Sequence, residues 1–465
     1  MANHENSGAY SEQTRSVCPQ CLTPIDASIV VSDGRVIMKK QCPQHGSFEV
    51  LLSSDARMYL DSLPYNKPGR SPLAFSTRVG KGCPDDCGLC PEHRQHTCVA
   101  LIEITSRCNL ECPVCFADSR PGFDLSLAQV EGMLDRFVQL EGKPEVVQFS
   151  GGEPTLHPDL IPMIRAANEK GIGMVMLNTN GLRIAGDDAF LARLADARPT
   201  VYLQFDGFSQ GSQEKLRGKD LLSIKLKALD RLAQAKLDVV LVPTVDRQVN
   251  HDQVGQIVQF GLKHPAVHGI AFQPLMHGGR YRRDFDPLDR ETIPDVIHGI
   301  AQQTGGMLVE SDFIPVPCCH PTCRSATYIY LDGDKATPLP RMVEVDKYLN
   351  YVVNRTLPEI KPEILEALEG LWSAASVPGR PSTVSRFVTA CCELPFINKA
   401  AILKRHIFTI VIQDFADAYT MDLNVLHKCC VGQLIPDGRM IPFCAYNSLG
   451  YRQKVFSAIS SGAMV

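Results

Sequence analysis

No block of five or six like charges occurs in this chain, and 47 basic against 51 acidic side chains leave a net charge of −4. A phosphate backbone is therefore not the default partner, and nucleic-acid binding is not expected. No apolar run approaches the roughly 18 residues that a membrane-crossing helix needs, although a peripheral contact with lipid stays open. The opening MANHENSGAYSEQT lacks the basic end and apolar stretch of a secretory signal, so a cytoplasmic location is expected. Tandem repeats of fixed period and low-complexity tracts are missing as well. What the chain does hold is 44% apolar and 21% charged residues over 465 positions, enough for one large core with small attachments, and 18 cysteines. That number exceeds ordinary usage yet is too thinly spread for a small disulfide scaffold. In a reducing compartment such thiols hold metal rather than each other.

Their spacing divides the chain. Cys18-Pro-Gln-Cys21 and Cys42-Pro-Gln-His45 flank a short alternating segment at 28–39. A C-x2-C knuckle facing a C-x2-H knuckle across a β-hairpin turns four ligands toward one tetrahedral centre, so residues 1–64 predict a zinc-ribbon or rubredoxin-like module with one zinc or iron ion. A Pro/Gly-rich stretch follows, and 65–98 forms a cysteine-bearing segment. From 99 to about 275, six short apolar runs (100–105, 146–150, 174–178, 201–205, 239–245, 270–275) alternate with amphipathic helical stretches. Strands separated by helices predict an α/β fold, a partial (β/α)6 barrel over 99–310 with functional residues at the C-terminal ends of its strands. A closed eight-unit barrel would need two more strands. Residues 311–465, where cysteines reappear, are expected to form a separate metal-bearing C-terminal subdomain.

Directly after the first barrel strand, IEITSRCNLECPVCFADS places Cys108, Cys112 and Cys115 at C-x3-C-x2-C spacing. Three thiolates on one loop can hold three irons of a 4Fe-4S cube and leave the fourth open as a binding site. Here the chain resembles the radical S-adenosylmethionine (SAM) superfamily over about residues 99 to 280. The resemblance implies that SAM chelates the open iron and that an electron from the cluster cleaves it to a 5′-deoxyadenosyl radical. It implies a role for Ser150-Gly151-Gly152-Glu153-Pro154, similar to the family's GGEP motif, in holding the SAM amino group, the glycines permitting close approach. By the same resemblance Asn178 and Asn180, in Leu177-Asn178-Thr179-Asn180-Gly181, and Asp206, in Gln204-Phe205-Asp206-Gly207, are polar contacts to ribose and carboxylate, and Phe116 meets adenine. It also implies a reductant such as ferredoxin or flavodoxin.

A second triplet of the same spacing, Cys83, Cys87 and Cys90, has no strand before it, and is expected to be an auxiliary iron-sulfur site completed by Cys98, with a zinc site as the alternative. His93 and His96 are expected to be surface or packing residues. Among the late cysteines, Cys323, Cys430 and Cys444 with Cys318 or Cys319 are chosen as one further cluster. Adjacent cysteines point different ways along an extended chain, so one of each pair is expected to be buried and inert. Cys391 and Cys392 receive no ligand role.

The knuckle pair, GCP-x2-CGLCP-x-H, CPVCFA and PDGR-x-IPFC-x-YN together resemble a radical SAM subgroup that includes the archaeal tetraether lipid synthase and the 7,8-dihydro-6-hydroxymethylpterin dimethyltransferases. Both activities form carbon–carbon bonds at positions with no acidic proton for a base. A lipid substrate is the expectation carried forward, because a sulfide or thiolate at an auxiliary cluster could hold an intermediate while a second radical is made; Val242, Val245, Phe272, Leu275 and Met276 are apolar enough to line a tunnel but are also ordinary barrel-core residues. The alternative is methylation of a dihydropterin, for which Tyr202, Phe205 and Phe208 offer stacking rings. No cobalamin-binding motif is present. A non-enzymatic multi-cluster electron carrier would contain the cysteines but has no use for GGEP.

Overall fold

The computed structural model describes residues 10–118, 122–281, 284–333, 335–342 and 406–463; Cys391 and Cys392 lie outside them. At the N-terminus β1 (Ser11–Val17), β2 (Pro24–Ser32), β3 (Arg35–Cys42) and β4 (Gly46–Ser53) form an antiparallel meander. The β2–β3 turn is Asp33-Gly34 with φ of +50° and +73°, the backbone that a tight two-residue hairpin demands. Alternate residues of the meander, among them Ile29, Val36, Met38 and Val50, are buried together on one face.

The remaining strands are β5 (Val99–Thr105), β6 (Val146–Gly151), β7 (Met174–Thr179), β8 (Thr200–Gln204), β9 (Val239–Val242), β10 (Thr244–Val245), β11 (Val267–Pro274), β12 (Ile314–Pro315), β13 (Arg324–Asp332), β14 (Lys335–Pro338), β15 (Ile407–Gln413), β16 (Val431–Leu434) and β17 (Met440–Pro442). They make one sheet in the order β12–β13–β15–β11–β9–β8–β7–β6–β5–β16–β17, with β10 on β11 and β14 on β13. All six expected barrel strands are present and parallel, in chain order. The described strands beyond residue 311 are woven into this sheet rather than set beside it. Strand β15 pairs parallel to β11 and β16 parallel to β5, adding one strand to each edge. The sheet does not close: β15 continues into antiparallel β13, and β16 into antiparallel β17.

Alternation along the strands separates two faces. Ile102, Val147, Phe149, Leu177, Val201, Leu203, Leu241, Phe272 and Ile410 point into one continuous apolar core shared with Leu134 and Phe137 of the helix Leu127–Glu141 and Ile164 of the helix Leu160–Glu169. Truncating a side chain such as Phe149 here would cost about 3–5 kcal/mol. Val245 and Phe272 belong to this helix-facing core, not to a lumen, and Phe205 is fully buried against Phe208 and Phe260. The opposite face is mixed, with Met176, Val240, Val242 and Val411 between polar side chains. By register it carries Glu103 beside Ser150, Asn178 beside Tyr202, and Gln148, Gln204, Gln273 and Gln413 in neighbouring layers.

Candidate active site and metal centres

The loop leaving β5 carries Cys108, Cys112 and Cys115, all half-buried, and the rest of the barrel mouth is built to hold that loop still. Gly152 N–H donates to Thr105 O at 2.8 Å and Glu153 N–H to Arg107 O at 2.8 Å. Gly151 has φ of +136°, and a Cβ there would sit 2.1 Å from Thr105 O; one on Gly152 would sit 2.2 Å from Arg107 O. The glycines are therefore required by the approach of the loop's own backbone. Asn180 Nδ2 donates to Asn109 Oδ1 at 2.7 Å. Cys115 exchanges two backbone hydrogen bonds with Arg280, of 2.8 and 2.9 Å, which ties the loop to the chain leaving β11.

Several expected SAM contacts have other partners. The Glu153 carboxylate, 1% exposed, accepts from Thr155 N–H (3.1 Å), Thr155 Oγ1 (2.6 Å), Thr179 Oγ1 (2.7 Å) and Asn180 N–H (2.7 Å). Its lone pairs are used in joining the GGEP turn to the end of β7. Asp206 is fully buried and forms a two-pronged ion pair with Arg217, whose Nη1 also donates to Val114 O at 3.3 Å. Phe116 packs edge-on against Phe443, with ring centroids 5.4 Å apart. Asn178 stays half-buried with one long contact of 3.5 Å to Ser150 Oγ.

The three thiols are electrostatic neighbours: burial pushes Cys108 up to about 11, with Glu153, Cys112 and Cys115 adding to the rise. Burial also raises Cys112, opposed by the positive charge of Arg217. Beneath the loop, buried Lys225 donates to Asn180 O at 2.6 Å and Gln204 Oε1 at 3.0 Å, and desolvation lowers it to about 8. Sequence reasoning missed Asn109, Arg217 and Lys225. It also missed Arg452, which reaches the inner-face carboxylate of Glu103, and Tyr446, whose hydroxyl donates to the same carboxylate at 3.0 Å. Asn109 and Tyr446 sit inside motifs that give no cue to their partners, and Arg217, Lys225 and Arg452 come from helices whose local pattern carries no motif.

In the N-terminal meander the ligand atoms of Cys18, Cys21, Cys42 and His45 all lie within 4.8 Å of one another. Cys21 and Cys42 sulfurs are 3.9 Å apart, and His45 Nδ1 is 3.5 Å from Cys18 and 3.4 Å from Cys42. Tetrahedral zinc with bonds of about 2.3 Å to sulfur and 2.0–2.1 Å to nitrogen has ligand separations of about 3.6–3.8 Å, so this set fits the ion.

The other thiols group differently from the sequence expectation. Cys98 stands with Cys318 and Cys430, all three buried and within 4.8 Å, and not as the fourth member of the Cys83 triplet. Its place is set by β16 docking on β5, where Cys98 N–H donates to Cys430 O at 2.9 Å. Cys319 is in hydrogen-bonding reach of Cys318 and Cys430, and Arg324 Nη1 lies 3.9 Å from Cys318 Sγ. Cys444 and Cys323 belong with Cys429 instead. Cys83, Cys87 and Cys90 are mutual neighbours, and Cys429 is the further thiol raising Cys87, after burial. The two adjacent pairs differ: Cys318 and Cys319 join one thiol group, against expectation, whereas Cys429 and Cys430 meet different ones. His93 and His96 are buried packing residues, hydrogen-bonded to Cys429 O and Glu141 at 2.9 Å each. Among the described residues, no helix is long and apolar enough to cross a membrane.

Residues 102–261 match the radical SAM superfamily model, and residues 10–54 match the HMPTM N-terminal zinc ribbon domain. The chain is 34% identical over 483 aligned positions, 96% of its own length and 94% of the relative's, to 7,8-dihydro-6-hydroxymethylpterin dimethyltransferase of Methanocaldococcus jannaschii. A GTP 3′,8-cyclase of Chlorobaculum tepidum is 32% identical over 180 residues, 37% of this chain and 53% of that one. Among solved structures, a radical SAM methyltransferase from Sphaerobacter thermophilus aligns over 62% of this chain and 76% of its own, at 14% identity and a TM-score of 0.33. Motif, fold and near full-length similarity together make this chain a member of the radical SAM superfamily, an enzyme of SAM and 4Fe-4S chemistry that carries a zinc ribbon and belongs to the family of the Methanocaldococcus dimethyltransferase.

Proposed function

We propose that this chain methylates a dihydropterin at carbon, with Cys108, Cys112 and Cys115 as the ligands of the SAM-binding cluster. The observation that carries the substrate reading is the set of amides on the inner face of the sheet, Gln148, Asn178 and Gln273, standing among Met176, Val240 and Val242. An amide offers two donors and an acceptor, which complements the alternating N–H, N and C=O groups of a pterin edge. A hydrocarbon chain would leave these amides without partners. Each amide desolvated against it without a partner would cost about 1–3 kcal/mol. The apolar strand-end residues weighed as a lipid tunnel include Val245 and Phe272, both packed among the helices, and the lipid reading has no support. The printed activity of the Methanocaldococcus relative points the same way.

When bound, SAM and its cluster supply a 5′-deoxyadenosyl radical able to take hydrogen from a carbon with no acidic proton. The chain's own residues then position. Gly151, Gly152 and Glu153 fix the base of the cysteine loop, Asn180 and Arg217 fix its flanks, and Asn178 with Ser150 Oγ is left facing the bound cofactor. Cys18, Cys21, Cys42 and His45 hold the ribbon's zinc. Of the remaining thiols, Cys83, Cys87 and Cys90 form one auxiliary metal centre and Cys98, Cys318 and Cys430 with Cys319 another, while Cys429 stands with Cys323 and Cys444. Mass spectrometry of pterin and lipid extracts from cells with and without the gene tests the substrate. Gene-dependent methylated pterins are expected; a change confined to lipids would overturn the reading.

A further inference from the structure

The largest exposed apolar side chains do not lie at the barrel mouth. Leu73, Phe75 and Val79 are 63, 45 and 40% exposed and sit on one short segment that runs into Cys83. Their exposure is held in place. Leu73 N–H donates to Leu140 O at 2.8 Å, Ser76 and Thr77 N–H both donate to Leu89 O, and Arg136 Nη2 donates to Phe75 O at 3.3 Å. The surrounding charge is mostly basic, with Asp85 and Glu92 as exposed acids on its far side. Residues 65–82 contain Lys67, Arg70, Arg78 and Lys81 and no acid, in a chain whose net charge is −4. Arg70, Arg78, Lys81 and Arg94 are exposed. The nearby Asp86 turns its carboxylate inward onto the Gly80 and Gly82 N–H groups, at 2.6 and 3.0 Å. Val79, Gly82, Cys83, Cys87 and Cys90 line one shallow cleft, so the patch ends where the thiols begin.

We infer that this basic-rimmed apolar patch is the docking face for an acidic one-electron carrier protein of the flavodoxin type. An apolar centre with a charged rim is the anatomy of a transient protein interface, and opposite charge speeds such encounters. The electron passes from a flavin hydroquinone, which becomes the semiquinone, to the metal centre of the Cys83 triplet, which is reduced by one electron; no bond is made or broken. The inference rests on the proposed thiolate centre at Cys83, Cys87 and Cys90.

The test uses the metal-loaded full chain and purified flavodoxin. The Kd of the oxidised carrier is measured at low and high salt, and 5′-deoxyadenosine formation is driven either by reduced flavodoxin or by dithionite. In Arg78→Glu/Lys81→Glu, affinity and the flavodoxin-driven rate should fall at least tenfold with loss of the salt dependence, while the dithionite-driven rate is unchanged. Leu73→Ser/Phe75→Ser should weaken affinity and keep the salt dependence. Lys263→Glu, at the end of another exposed helix, should change neither. Unaltered flavodoxin affinity and rate in both double variants would overturn the docking face. Dithionite-driven cleavage by the unaltered protein needs no carrier, so its failure would speak against the enzyme reading separately.

Discussion

Arg217 and Asp206 form a two-pronged ion pair of 2.8 and 2.7 Å beneath the cysteine loop, with the two side chains 9 and 0% exposed. The pair sits at the C-terminal end of β8, and its guanidinium extends to Val114 O, one residue before Cys115. The carboxylate expected to touch the cofactor is thus paired with a guanidinium that also holds the backbone of the cysteine loop.

Removing one partner leaves the other charge buried and unpaired, which costs about 3–5 kcal/mol. Asp206→Ala should lower the melting temperature and reduce the iron retained after reconstitution. A variant with native stability and full iron would show that the pair does not brace the loop.

Gly152→Ala should do more local damage. Its Cβ would meet Arg107 O at 2.2 Å, a backbone atom with no flexible end to yield. Loss of SAM cleavage with zinc content unchanged is expected from elemental analysis and 5′-deoxyadenosine assay; normal cleavage would mean that the loop base tolerates displacement.

The two kinds of metal site should load differently with pH. Neighbouring Thr23 holds the Cys21 thiol down at about 6, whereas burial holds Cys108 up at about 11. Metal ligation requires the thiolate, so a raised thiol must release its proton on binding and its affinity for metal climbs as pH rises toward that pKa. With Cys21 and Cys42 lowered and only Cys18 raised by burial, zinc uptake should depend less steeply on pH between about 7 and 9 than iron uptake by the Cys108 loop. Parallel loading of the two across that range would contradict the assignment.

Cys42→Ser should cost about one zinc per chain. It should also loosen the contact in which buried Lys40 donates to Ala418 O (2.9 Å) and Tyr419 O (2.7 Å), read as earlier proteolysis between the ribbon and the barrel. Unchanged zinc content would move the ion elsewhere.

The six parallel strands, the knuckle pair and the cysteine loop were legible because each is written in local periodicity or spacing. Strands β15 and β16 were not, since Ile407–Gln413 and Val431–Leu434 read as isolated short runs and gain meaning only from partners far away in the chain. The same holds for Cys98 meeting Cys318 and Cys430. Spacing shows that thiols cluster, but long-range strand pairing decides which ones meet. Glu153 and Asp206 stand at the expected strand ends, but their partners Thr179 and Arg217 were not legible, because no local pattern says which backbone groups and cations a buried carboxylate must satisfy.

The account depends on Cys108, Cys112 and Cys115 holding the cluster that cleaves SAM. Anaerobically reconstituted protein, dithionite and SAM should yield 5′-deoxyadenosine and methionine, Cys87→Ala should still do so, and Cys112→Ala should yield none. Cleavage by Cys112→Ala alongside loss in Cys87→Ala would contradict it.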